Sequence, residues 1–157
     1  MPSPSLKPLL RDIGLATCPR FYRDGQFYLA LLAGAVVALG LYLLFGPPPR
    51  VPPPLVVWLM VVLVWPLVEE LVFRGLLQGE LLRTRWGPRA VAGVTAANLV
   101  TTLVFVGFHF IHHPPLWAAL VIFPSLVFGY FRDRHGSVYP ALVLHVLYNF
   151  GYLLAVY

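Results

Sequence analysis

Five long apolar segments, separated by short charged or proline-containing stretches, dominate this sequence of 157 residues. Hydrophobic residues make up 59% of the chain, charged residues only 11%, and the mean hydropathy is +0.79. This balance lies outside the range of soluble domains. A helix needs about 20 consecutive apolar residues to cross the hydrocarbon core of a bilayer. The pattern therefore predicts an all-α protein, a polytopic transmembrane helix bundle with about five spans.

The apolar segments define the expected domain organisation. We expect spans at about residues 27–46, 55–82, 90–110, 116–131 and 138–157. Residues 1–26 then form an N-terminal tail, and residues 27–157 form the membrane domain. The second segment is longer than a perpendicular span needs, which implies a tilt or a bend, and Pro66 is a candidate for the bend. The proline runs at 47–49 and 52–54 cannot continue a helix, so they predict a loop.

The basic residues lie almost entirely on one side of these predicted spans. Of the 11 Lys and Arg residues, all except Arg50 and the intramembrane Arg74 fall in the N-terminal tail or in the loops after the second and fourth segments. The positive-inside rule then places the N-terminus in the cytoplasm and the C-terminus outside. The net charge of +5 comes from basic residues in the tail and loops beside the apolar spans, where such residues set the membrane orientation. It therefore does not indicate a nucleic-acid partner.

Polar and ionisable side chains inside the apolar segments are concentrated in three places. They are Glu69, Glu70 and Arg74 in the second segment, His109 at the end of the third, and His145 and Asn149 in the fifth. A charged side chain at the bilayer centre costs about 2.5–3.5 kcal/mol, so such groups face a polar cavity or pair with one another. Glu70 and Arg74 are four residues apart and can form an intrahelical pair. Glu69 points about 100° away from Glu70, which makes it the better candidate for chemistry.

Three short motifs, in this order, resemble those of the CAAX-protease and bacteriocin-processing (CPBP) family of intramembrane endopeptidases, also called the Abi family. Two glutamates followed after three residues by arginine match Glu69, Glu70 and Arg74, and a Phe four residues before a His matches Phe105 and His109. A His four residues before an Asn matches His145 and Asn149, and Phe128 with Gly129 resembles a weaker element. The resemblance covers roughly residues 55–152, the motif core of the membrane domain.

The resemblance implies an endopeptidase that hydrolyses a peptide bond in a membrane-anchored protein or peptide. Glu69 would activate a water molecule with help from His109, while His145 and Asn149 would stabilise the oxyanion. An imidazole and an amide are suitable donors to a developing negative charge. The remaining pair, Glu70 with Arg74, would support the site, and no cofactor is favoured.

Two alternatives accompany this interpretation. The first is a zinc-dependent version of the same protease, with Glu69, His109 and His145 as ligands. The glutamate mechanism is favoured because Asn149 is a poor zinc ligand and the chain has no His-Glu-x-x-His helix. The second is a nonproteolytic bacteriocin-immunity-type membrane protein, in which the polar residues only hold the helices together.

The chain is shorter than the eukaryotic prenyl-protein endoproteases, and it is similar to compact bacterial relatives that include the myxosortase-like branch. Such relatives imply the processing of C-terminal sorting tails in the bacterial inner membrane.

Overall fold

The computed structural model describes residues 10–15, 20–46 and 53–156, and its helices follow the apolar segments. These helices are α1 (Gly25–Phe45), α2 (Leu55–Leu82), α3 (Ala96–His109), α4 (Pro115–His135, interrupted at Val121) and α5 (Tyr139–Val156). In the described ranges, α1, α2, α4 and α5 are long and apolar enough to cross a membrane, and α3 is a shorter apolar helix. The predicted all-α transmembrane bundle is thus confirmed. The proline-rich loop predicted around residues 47–52 lies outside the described residues.

The third predicted span is wrong in its first residues. Residues expected to begin that span form instead a small antiparallel hairpin of β1 (Ala90–Val91) and β2 (Val94–Thr95). Gly93, with φ +83°, allows the tight turn between the strands. The helix begins only at Ala96, because the Thr95 hydroxyl accepts a hydrogen bond from the Asn98 N–H and caps the first turn. Hydropathy alone does not separate a short apolar hairpin from the start of an apolar helix.

The outer surface of the bundle is apolar, whereas its interior contains many polar residues. Leu43 on α1 is 71% exposed and Leu116 on α4 is 70% exposed. The buried polar and charged residues are Glu70, Arg74, Gln78, Asn98, Thr101, Thr102, Ser125, Arg132, Ser137 and His145. Lipid covers the apolar faces of such a bundle, and polar side chains at membrane depth must find their partners inside it. The protein is an integral membrane protein.

Close packing of α1 against α5 closes one side of the bundle. A Cβ added at Gly34 would lie 2.3 Å from the ring of Tyr148, so glycine is required where this ring crosses α1. The Tyr148 hydroxyl donates to the carbonyl of Ala30 on the same helix. Beside this contact, Phe128 and Leu144 belong to the buried apolar cluster that joins α4 to α5.

The described part of the N-terminal tail packs against the bundle. The guanidinium of Arg132, near the end of α4, donates to the Asp12 carbonyl oxygen at 2.9 Å. Asp24 caps α1 and also pairs with Arg134, and the hydrogen bond from Arg134 lowers the pKa of the Asp24 carboxyl. Residues 10–15 and 20–24 therefore hold the ends of α1, α2 and α4 together.

Candidate active site

Helix α2 positions the first part of the site through two π-helical stretches on either side of Pro66, at Met60–Val64 and Glu70–Leu77. The N–H of Trp65 donates to the Met60 carbonyl, and Pro66 has no N–H to donate. The Val61 carbonyl instead accepts a hydrogen bond from the Asn149 side-chain amide at 2.9 Å. Pro66 thus leaves a backbone acceptor that orients Asn149, whose amide carries a second N–H.

The two adjacent glutamates have different surroundings. Glu70 is 1% exposed, and its Oε1 lies 3.3 Å from the Arg74 guanidinium and 2.8 Å from Nδ1 of His145. The Glu69 side chain is 25% exposed, and its Oε2 lies 3.5 Å from Nε2 of the same imidazole. His145 therefore bridges the two carboxylates. Glu70 is enclosed by its partners, whereas Glu69 remains accessible.

Arg74 is completely buried, and its guanidinium lies among aromatic rings, the Glu70 carboxylate and the oxygens of Ser125. One face lies over the Phe105 ring at 4.4 Å, and the Phe128 ring is 5.5 Å away. Such cation–π contacts are strongest where water is excluded. The Nη2 group donates to the hydroxyl of Ser125 at 2.8 Å and to its carbonyl at 3.2 Å. The position of Arg74 is thus determined by α2, α3 and α4 together.

The same two phenylalanine rings contact the histidines of the site. Phe128 stacks on His145 with 4.7 Å between ring centroids, and Phe105 contacts both His109 and His145 at 4.5 and 6.2 Å. Nδ1 of His109 lies 2.9 Å from the Phe105 carbonyl oxygen. Because a carbonyl only accepts, Nδ1 carries the proton in this contact, and Nε2 of the neutral ring holds the lone pair. His113 stacks on His109 with 5.5 Å between the ring centroids.

An apolar groove of about 700 Å³ runs between α2 and α3 and reaches Glu69. Its walls include Trp65, Val68, Val72, Val104 and Phe108, and Glu80 lies in another part of it. Apolar grooves with a few polar groups are typical binding sites for apolar ligands. Glu69 is therefore the accessible carboxylate that such a ligand meets at the buried cluster of Glu70, Arg74 and His145.

The zinc-dependent alternative names Glu69, His109 and His145 as ligands. Within residues 10–15, 20–46 and 53–156, no group of three or more His, Cys, Asp or Glu side chains is arranged to hold one metal ion. His145 already directs one ring nitrogen to Glu70 and the other toward Glu69.

Sequence reasoning missed the polar residues behind Arg74. Ser125, Thr102 and Asn98 are each fully buried and form a hydrogen-bonded chain that begins at the guanidinium. Asn98 and Thr102 are four residues apart within an apolar helix, a spacing that could have indicated them. Packing explains the glycine of the weaker Phe128–Gly129 motif, because a Cβ at Gly129 would lie 2.0 Å from Oδ1 of Asn98.

The comparison with protein families agrees with this arrangement. The model of the family described as type II CAAX prenyl endopeptidase Rce1-like matches residues 51–151, about two thirds of the chain. That range contains every residue of the cluster described above. No curated protein and no solved structure matches the chain. The expected family resemblance is thus confirmed, and the chain belongs to the type II CAAX prenyl endopeptidase Rce1-like family of membrane-embedded proteases.

Proposed function

We propose that this protein is a glutamate-dependent intramembrane endopeptidase that hydrolyses a peptide bond in a membrane-anchored protein tail. The different surroundings of the two glutamates carry the proposal. Glu70 is enclosed by Arg74 and His145, so it serves as a support, whereas Glu69 faces the groove with room for a water molecule and a substrate. Glu69 is therefore the general base in this scheme.

In the proposed reaction, Glu69 takes a proton from water as the water oxygen attacks the carbonyl carbon of the scissile bond. The lone pair on Nε2 of His109 accepts the second water hydrogen and orients the nucleophile. The tetrahedral intermediate collapses when the C–N bond breaks, and Glu69 returns its proton to the leaving amine. Atoms and charge balance without a further reactant.

The oxyanion of the intermediate needs donors, and the proposal assigns this role to His145 and Asn149. The side chain of His145 has one ring nitrogen beside each of the two carboxylates. In this assignment, its Nδ1–H donates to Glu70, and its Nε2–H is directed at the reaction side. Each such donor contributes about 2.7–4 kcal/mol in related oxyanion holes.

The groove suits a substrate that is itself apolar and anchored in the bilayer. Its apolar walls allow a lipid-exposed chain to reach Glu69 without crossing water. We include in the proposal that the substrate is a C-terminal sorting tail with a transmembrane segment. We further place the enzyme in a bacterial inner membrane with its N-terminus in the cytoplasm, as the distribution of basic residues favours.

Replacement of Glu69 by Gln tests the proposal, with Glu80→Gln as the matched control. Both carboxylates line the same groove, but Glu80 is largely exposed and pairs with Arg83. In proteoliposomes that contain a transmembrane-tail reporter or a farnesylated peptide, Glu69→Gln should lower kcat about 10²–10⁴-fold. Glu80→Gln should cleave at the rate of the wild type.

Equal activity of the Glu69→Gln and wild-type proteins would contradict the proposed mechanism. A wild-type protein that cleaves neither substrate would favour the nonproteolytic alternative.

A further inference from the structure

A chain of buried hydroxyl and amide groups leads from Arg74 to the far side of α3. Nη2 of Arg74 donates to Oγ of Ser125 at 2.8 Å, and this hydroxyl lies 3.0 Å from Oγ1 of Thr102. Oγ1 of Thr102 lies 3.2 Å from Oδ1 of Asn98, whose Nδ2 lies 3.0 Å from the Leu126 carbonyl. Apart from Leu126, each of these residues is fully buried.

The chemistry at both ends allows only one direction of donation along this chain. Arg74 has only donors, so the Ser125 oxygen must accept from it. At the other end, the Leu126 carbonyl only accepts, so Asn98 turns its NH₂ group there and its oxygen toward Thr102. Thr102 must then donate to Asn98 and accept from Ser125. The hydroxyls of Ser125 and Thr102 each donate their one proton along this series. The orientation of the Ser125 hydroxyl is therefore fixed, with a lone pair directed at Arg74.

We propose that Ser125 and Thr102 are positioning residues of the protease, which hold the Arg74 guanidinium so that Glu70 and His145 keep their catalytic orientation. This inference rests on the proposed function. The link is direct, because Arg74 lies 3.3 Å from the same Glu70 oxygen that contacts Nδ1 of His145 at 2.8 Å. A shift of Arg74 therefore changes the direction in which His145 presents Nε2.

The packing around Asn98 fixes the end of the hydrogen-bonded chain that is farthest from Arg74. Gly129 on α4 leaves the space that the Asn98 side chain fills, since a Cβ there would overlap it. The backbone N–H of Asn98 also donates to the hydroxyl of Thr95, at the first turn of α3. The hydrogen-bonded chain thus joins the start of α3 to the charged cluster on α2.

Thr101 provides an internal control for Thr102. It is the preceding residue of α3 and is 1% exposed, but its hydroxyl has no hydrogen-bond partner in the part of the chain that the structure describes. Thr→Val keeps the shape of the side chain and removes the hydroxyl at either position. Thr102→Val removes a hydroxyl of the hydrogen-bonded chain, whereas Thr101→Val removes a buried hydroxyl outside it.

The experiment compares Thr102→Val, Thr102→Ser, Thr101→Val and Ser125→Ala in proteoliposomes with the reporter substrates. We expect kcat to fall about 10- to 100-fold for Ser125→Ala and about 10-fold for Thr102→Val, with KM unchanged. Thr102→Ser keeps the hydroxyl and should retain activity within about twofold, as should Thr101→Val. Each variant is assayed below its own unfolding temperature.

A second measurement separates this inference from the proposed function. The ring ¹⁵N signals of His145 in labelled protein, assigned with a His145→Gln variant, report the hydrogen bond to Glu70 without any substrate. They should move in Thr102→Val and Ser125→Ala but not in Thr101→Val. Unchanged His145 signals and wild-type kcat in the first two variants overturn the inference. If the wild-type protein cleaves nothing, the proposed function fails, and the His145 signals still decide the positioning role.

Discussion

The buried pair of Glu70 and Arg74 makes a prediction about stability that distinguishes one substitution from two. The two side chains are 1% and 0% exposed and lie 3.3 Å apart. Removal of Arg74 alone, as Arg74→Met, leaves His145 as the remaining partner of the Glu70 carboxylate within the described ranges. The loss of one partner from a buried pair costs about 3–5 kcal/mol, because the remaining charge is uncompensated.

Removal of both charges should cost less. In the double variant Arg74→Met with Glu70→Leu, no charge is left unpaired. Ser125 and His145 each lose one hydrogen-bond partner, and Ser125 keeps its bond to Thr102. Ser125 loses Arg74 in both variants, so the double variant replaces the uncompensated Glu70 charge by one His145 ring nitrogen short of a partner, which costs about 1–3 kcal/mol. The double variant should therefore be more stable than the Arg74→Met single variant, although it should be inactive because His145 has lost its acceptor.

Unfolding in detergent micelles, followed by the fluorescence of the four tryptophans, measures these differences. A loss of about 3 kcal/mol corresponds to a decrease in Tm of roughly 6–12 °C. The control is Arg83→Met, whose ion pairs are exposed, and it should change stability by no more than about 1 kcal/mol. A single variant as stable as the wild type, or a double variant less stable than Arg74→Met, would refute the reasoning.

Three further predictions follow from the backbone and the donor set. Pro66→Ala restores an N–H that competes for the Val61 carbonyl, so Asn149 loses its orientation and kcat should fall with little loss of Tm. Gly79→Ala places a Cβ 2.8 Å from a carbonyl oxygen of the N-terminal segment, so limited proteolysis of that segment should accelerate, whereas Gly107→Ala, with open space, should have no effect. Chelation of divalent metals should leave cleavage unchanged, and a loss restored by zinc would contradict the glutamate mechanism.

Much of the fold was predictable because long apolar segments have few options in a bilayer. Helices α1, α2, α4 and α5 lie within a few residues of the predicted spans, since a lipid-exposed backbone must satisfy its hydrogen bonds within one helix. The start of α3 was not predictable in the same way. There the Thr95 cap and the turn at Gly93 outweigh an apolar composition that suits both a hairpin and a helix.

The sequence by itself determined which polar residues are placed in the membrane, because spacing along a helix puts Glu70 beside Arg74 and His145 near Asn149 on one face. Only the tertiary structure decided that Glu70 is enclosed while Glu69 faces the groove. It also decided that Ser125, 51 residues from Arg74 in sequence, is the hydroxyl that holds it. The reason is physical: a buried charge needs donors and acceptors from neighbouring helices, and the packing of those helices is a property of the whole bundle.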